Sequence, residues 1–201
     1  MSTSGHDASR RAAAMALATL PLIGALGAAE ASTNAGEVRR VGSRTLVAYF
    51  SRSGNTRVVA GLIQRGLRAD LFEIRPATPY PEDYLETVEA ARKESESGQA
   101  RALAARVPNI ADYDTVYLGF PIWGTTAPPV IRAFLTTHDL SGKTLVPFIT
   151  HGGYGLGDSR SVLAELAPKA QLRREFSMQA DQERRTMENV NAWLEMVQVK
   201  R

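Results

Sequence analysis

The chain has 201 residues, 44% hydrophobic and 22% charged, with 24 basic against 21 acidic residues and a formal net charge of +3. That composition suits one globular domain with an appendage; it is too apolar for a disordered chain, and no internal period marks a solenoid or fibre. Cysteine is absent and histidine occurs only as His6, His138 and His151, which excludes disulfide frameworks, thiol nucleophiles, zinc ribbons, iron–sulfur ligation and a multi-histidine metal centre within one chain. The basic residues are scattered instead of forming a stripe, so nucleic acid is not an expected partner.

The N-terminus reads as a targeting segment. Ser9-Arg10-Arg11 precedes the uncharged stretch Ala12 to Ala29, and Ala29-Glu30-Ala31 follows it, the order of a basic n-region, an apolar h-region and a small-x-small cleavage site. The arginine pair suggests the twin-arginine export route of bacteria, although Ala13 stands where a bulky apolar residue is usual. An uncleaved membrane anchor is the alternative, weakened by the alanine and glycine content and by Pro21. Residues 1–31 are therefore expected to be a signal peptide, 32–43 a flexible tether and 44–201 the folded domain, periplasmic or otherwise exported, with no stable membrane span after processing.

From Thr45 the pattern alternates between short apolar runs and amphipathic stretches. Thr45 to Phe50 reads as a strand buried on both faces. Val58 to Leu67 carries apolar residues at helical spacing. Leu71 to Ile74 is a second strand, and Tyr84 to Ala105 a polar, alanine-rich helix with Gly98 as an interruption. Thr115 to Phe120 is a third strand, and a helix over Val130 to Leu135 starts behind Pro128 and Pro129. Leu145 to Ile149 is the fourth strand, with Pro147 marking a bulge or distortion. Ser159 to Leu166 is a helix capped by Asp158 or Ser159, Leu172 to Phe176 a weak fifth strand, and Glu183 to Val199 a terminal helix with Met187, Val190, Trp193, Leu194 and Val197 inward. Strands alternating with helices imply right-handed crossovers and an open, doubly wound α/β sheet.

Ligands bind such a sheet beyond the carboxyl ends of its strands, where the winding reverses. The loops after strands one, three and four are the candidates. The first, Ser51-Arg52-Ser53-Gly54-Asn55-Thr56, offers hydroxyls and backbone N–H groups at a helix start, which suits a phosphate, with a plain capped turn as the alternative. It has neither the lysine of a P-loop nor a GxGxxG. The second, Pro121-Ile122-Trp123-Gly124-Thr125-Thr126-Ala127-Pro128-Pro129, exposes a tryptophan; the third, Thr150-His151-Gly152-Gly153-Tyr154-Gly155-Leu156-Gly157, sets a tyrosine among glycines. Two aromatics beside a phosphate cradle suit a flat ring with a phosphate tail. No G-x-S-x-G elbow supports a serine hydrolase, and the first strand, ending in Tyr49-Phe50-Ser51, lacks the acidic residues of a receiver domain.

The three stretches LVAYFSRSGNTRVVA, GFPIWGTTAPPVIRAFL and FITHGGYGLGDS, in that order and at those separations, resemble the flavodoxin-like family, in particular its short FMN-binding members, over Arg44 to about Val199. The resemblance implies a three-layer, five-stranded parallel sheet of order 2-1-3-4-5. It also implies that Ser51, Arg52, Ser53, Gly54, Asn55 and Thr56 hold the FMN phosphate. Pro121, Ile122, Trp123, Gly124 and Thr125 would then cover one face of the ring, with Trp123 stacked and Gly124 permitting a peptide flip toward the flavin. The pyrimidine side falls to His151, Gly152, Gly153, Tyr154 and Gly157, with Tyr154 near the ring; His151 is the one candidate proton donor there, although loop packing is the favoured role for it. The implied function is electron transfer through bound FMN, with a redox protein or a small quinone-like acceptor as partner. An NAD(P)H-dependent quinone reductase and a flavin-free binding module are the alternatives. The chain departs from electron-carrier flavodoxins in being basic, in carrying Tyr154 where a small polar residue is common, and in having no long insertion in its fifth strand.

Overall fold

The computed structural model describes residues 37–97, 101–179 and 183–198, so the expected signal peptide lies outside the described residues. Five parallel positions build one sheet. Strands β1 (Thr45–Tyr49), β2 (Asp70–Glu73), β3 (Thr115–Pro121) and β4 (Thr144–His151) run in the order β2-β1-β3-β4. The fifth position, beside β4, is filled by two short pieces, β5 (Gln171–Leu172) and β6 (Phe176–Gln179). The expected order 2-1-3-4-5 is thus the order observed.

Each central strand is apolar on both faces because both faces are covered. Leu46, Ala48 and Phe50, with Val116, Leu118 and Phe120 of β3, point to a core shared with α3 (Pro129–Thr137) and α4 (Ser159–Leu166). The alternate residues Val47, Tyr49, Tyr117, Val146 and Phe148 point to a second core closed by α1 (Asn55–Leu67) and α5 (Glu183–Gln198). That is the period-two alternation of a strand within a three-layer sandwich. Gly119 lets the strands seat their largest neighbour, because a Cβ there would fall 2.0 Å from the Phe148 ring. In the second core Trp193 of α5 lies edge-on to Tyr117 at 5.7 Å and packs on Phe176 at 5.2 Å. Val190 and Leu194 are buried beside it, as their spacing implies.

Four expectations change. The fifth strand is not Leu172 to Phe176: residues 173–175 belong to neither piece. Leu145 pairs with Leu172 but Phe148 with Phe176, so one extra residue is bulged between them. Pro147 supplies the reason. Leu145 accepts the Arg173 N–H at 2.9 Å, and Pro147, two residues on, faces the same side without an N–H to give. The distortion anticipated at Pro147 is therefore taken up by its neighbour.

The helix expected over Tyr84 to Ala105 is α2, and it ends at Ser97; Gly98 lies outside the described residues. Residues 102–104 run extended instead, the Ala77 N–H donating to the Ala102 carbonyl and the Ala104 N–H to the Arg75 carbonyl, both at 2.8 Å. Asp158 precedes α4 but makes no side-chain cap bond.

The stretch expected as a tether is docked from residue 37 onward. Val38 is buried, Arg39 and Leu71 exchange backbone hydrogen bonds of 2.8 and 3.1 Å, and the Val41 N–H donates to Asp70 Oδ1 at 2.6 Å. Asp70 is itself buried and also accepts the Tyr113 hydroxyl at 2.8 Å, a phenol that burial pushes up to about 12. A buried carboxylate must be hydrogen-bonded, and the strap supplies part of what this one needs.

Candidate functional site

Parallel strands deliver the ends of β1, β3 and β4 to one edge of the sheet, which brings the three loops together. Ser51 Oγ accepts the Gly54 N–H at 3.1 Å, and Gly54, at φ +97°, starts α1 with no side-chain cap. Apart from Gly54 and its two chain neighbours, no atom lies within 4 Å of where a Gly54 Cβ would sit. The helix thus opens with its positive dipole end facing open space, which favours an anion there. Ser53 is exposed, and Arg52 reaches across to the Glu82 carbonyl at 2.6 Å. Thr56 is buried beneath the loop, its hydroxyl 2.9 Å from that of Thr150 on β4. This bond ties the first loop to the third and was not anticipated.

The second loop is braced from three directions. Trp123 and Thr126 exchange backbone hydrogen bonds of 3.1 and 3.2 Å around Gly124, whose φ of +62° is that of a tight hairpin turn. The Ile122 N–H donates to the Thr150 carbonyl at 2.8 Å, and Thr125 offers its carbonyl to the Asp158 N–H at 2.9 Å. Gly157 must be glycine for the last contact: at φ +53°, a Cβ would fall 1.8 Å from the Thr125 carbonyl oxygen. Trp123 is half-buried, edge-on to Phe50 at 5.4 Å and to Tyr80 at 4.6 Å. The indole is therefore one wall of an aromatic cluster instead of a freely exposed ring.

Tyr80 comes from the connection between β2 and α2, a loop not singled out from sequence. Its hydroxyl donates to Glu94 Oε2 at 3.1 Å, and the Arg101 guanidinium sits over its ring at 3.9 Å. Burial pushes the phenol up to about 12, against a smaller opposing pull from Arg101. Arg101 pairs with Glu94 and donates to the Thr78 carbonyl at 2.6 Å. The signal that was available is Pro79-Tyr80-Pro81, an aromatic fixed between two prolines at the same end of the sheet.

The third loop is looser. His151 Nδ1 accepts the Gly153 N–H at 3.1 Å, which puts the proton of a neutral ring on Nε2. Gly152 and Gly155 face open space. Tyr154 is 91% exposed and so does not close a sandwich opposite Trp123.

Residues 44–197 match the family model described as Flavodoxin. The chain belongs to the flavodoxin family. Among solved structures, a Bacteroides eggerthii protein assigned as a flavoprotein shares 33% identity over 76% of this chain and 96% of its own, with a TM-score of 0.65. A Bacteroides uniformis protein assigned likewise shares 28% identity over 78% and 99%, also at 0.65. A Lactobacillus acidophilus flavoprotein in complex with FMN has the same fold at 20% identity, over 72% and 97%, with a TM-score of 0.60. No curated protein is significantly similar to this flavodoxin-family chain in sequence.

Proposed function

We propose that the protein is an FMN-dependent redox carrier, exported across the inner membrane, that exchanges electrons with a partner protein or a small quinone-like acceptor. The observation that carries the reading is the glycine-opened N-terminus of α1, where Gly54 brings no side-chain cap, at the same sheet edge as a fixed tryptophan. A phosphate fits the first feature and a flat ring the second. Family membership supports the choice of flavin, and the Lactobacillus acidophilus relative is a complex with FMN.

Bound FMN would supply the electron exchange through its ring. The residues of this chain have positioning work. Ser51, Ser53, Gly54, Asn55 and Thr56 would receive the phosphate at the helix start, with Arg52 contributing positive charge at the loop. Trp123 would cover one ring face and exclude water from it. Gly152, Gly153 and Gly155 would let backbone N–H groups approach the ring edge, because no Cβ fills the space. His151, with Nε2 as its N–H, would be a donor at the ring margin.

Export rests on Arg10, Arg11, the apolar stretch and Ala29-Glu30-Ala31. The deciding experiment mixes purified protein with FMN and records the visible spectrum after removal of free ligand. Retained, red-shifted flavin bands are expected. A colourless protein that binds FMN no better than riboflavin overturns the reading.

A further inference from the structure

Trp123 is held at its edge by Tyr80, and Tyr80 is held in turn on two sides. Its ring centroid lies 4.6 Å from that of Trp123 at 78°, an edge-to-face geometry in which the ring edge of one meets the electron-rich face of the other. On the outer side the Arg101 guanidinium covers the phenol ring at 3.9 Å, a cation–π contact. The hydroxyl is tied to Glu94 of α2, which also pairs with Arg101. Arg101 is itself pinned by the Thr78 carbonyl, two residues before Tyr80. The chain Glu94–Arg101–Tyr80–Trp123 thus runs from helix α2 to the loop after β3 with a defined contact at every link. The turn around Gly124 fixes the Trp123 backbone but leaves its side-chain torsions free, so the aromatic contacts must set the indole plane.

We propose that Tyr80 is a positioning residue, clamped by Arg101 and Glu94, that fixes the plane of Trp123 against the bound ring. The assignment rests on the FMN reading, so its test has a part that needs no flavin. The chain has two tryptophans; Trp193 is buried against Tyr117 and Phe176 in the other core. In a Trp193→Phe background the remaining emission reports Trp123 alone.

In that background, Tyr80→Leu should raise acrylamide quenching of Trp123 at least twofold and lower its anisotropy in the ligand-free protein, while Tyr80→Phe, which keeps the ring but loses the bond to Glu94, should move both by only a small fraction of that. Arg101→Met should move them in the same direction by less. With FMN present, Tyr80→Leu should weaken binding roughly fivefold to tenfold and raise the emission of the bound flavin. Adding Trp123→Ala to it should cost little more than Trp123→Ala alone, because the two residues act as one unit. Melting curves identify variants that fail to fold, and Tyr80→Phe then carries the comparison with Arg101→Met. Unchanged Trp123 quenching in Tyr80→Leu, equal effects of Tyr80→Phe and Tyr80→Leu, or additive losses of FMN affinity would each overturn the assignment. A parent that binds no FMN overturns the flavin reading instead, and the ligand-free quenching still decides whether Tyr80 holds the indole.

Discussion

The two loops that flank the candidate site are built to different standards. The one after β3 is locked: its backbone closes a tight turn, its Thr125 carbonyl is held by the Asp158 N–H, and its indole rests on two aromatic rings. The one after β4 is held at its far end, where Asp158 meets Thr125, but its middle has a local bond, from the Gly153 N–H to His151, and a tyrosine that is 91% exposed. A site with one rigid wall and one open wall orients a flat ligand from a single side and lets the other side adjust to ligand or partner. Rigidity costs nothing further on binding when it is already present in the free protein, so affinity should be concentrated on the locked side.

The comparison breaks most visibly at Gly157. A Gly157→Ala substitution drives a methyl group into the Thr125 carbonyl oxygen at a positive φ, and it should cost about 3 kcal/mol or more of stability by adding backbone strain to overpacking. Gly155→Ala, also at positive φ but facing open space, should cost only about 1 kcal/mol. Urea denaturation of the two variants measures the difference; equal losses would show that the contact of Gly157 with the loop after β3 is braced no more tightly than the open middle of its own loop.

Next in size is the asymmetry of affinity. Trp123→Ala should weaken FMN about tenfold, equivalent to about 1.4 kcal/mol, shift the reduction potential and raise the emission of bound flavin. Tyr154→Ala should change the dissociation constant by less than about twofold. Fluorescence titration reads both, and a larger effect at Tyr154 would reverse the order of the walls.

Thr150 sharpens the picture from below. Thr150→Val keeps the shape but leaves the buried Thr56 hydroxyl without that partner, a loss of about 1 to 3 kcal/mol of stability. FMN affinity should fall several-fold while riboflavin affinity, which does not use the phosphate loop, stays level. Thr150→Ser should restore both, and parallel losses for FMN and riboflavin would detach Thr150 from the phosphate end.

The smallest effect is a control remote from both loops. His138 is buried at the end of α3, its Nε2 accepting the Val107 N–H at 2.9 Å and its Nδ1–H donating to the Phe134 carbonyl at 2.9 Å. That arrangement requires the neutral ring, and burial pushes its pKa below the usual 6.5 despite the bond to Phe134, with nearby Arg106 adding to the drop. Above about pH 6.5 both folded and unfolded chains hold a neutral imidazole. As pH falls below that value the unfolded chain takes up the proton first, so this contribution to stability declines by at most about 1.4 kcal/mol per pH unit until the folded ring protonates. Denaturation curves from pH 8 to 5 should show the decline, and His138→Gln should flatten it.

How much of this was legible follows from what kind of information each feature needs. The sheet was legible because Val47, Val116 and Val146 sit in runs too apolar for anything but strands buried on two faces, and β–α alternation leaves few topologies. Ser51 to Thr56, Trp123 and the glycines after β4 could be placed together at one edge of the sheet because they follow strand ends, which is where ligands bind in such sheets. What sequence spacing does not report is contact between residues far apart in the chain. Thr56 with Thr150 and Tyr80 with Trp123 are pairs of that kind, visible only once the sheet has assembled. Gly98 marked an interruption directly after Ser97, where α2 ends, but the extended run beyond it was missed because alanine-rich composition favours helix locally, while the pairing of Ala102 and Ala104 with Ala77 and Arg75 is a tertiary choice.

The strap from residue 37 to 43 and the break in the fifth strand guard opposite margins of the same sheet. A bare outer strand presents a row of unsatisfied backbone groups that a foreign strand can join. On the β2 margin that row is occupied where Arg39 bonds Leu71. On the other margin it is interrupted by Arg173, Arg174 and Glu175, with Glu175 held by Arg160 at 2.7 Å. Strand-on-strand assembly is therefore discouraged from either side, which leaves the loop-bearing rim, with its one firm wall and one yielding wall, as the part of the surface best suited to meeting another molecule.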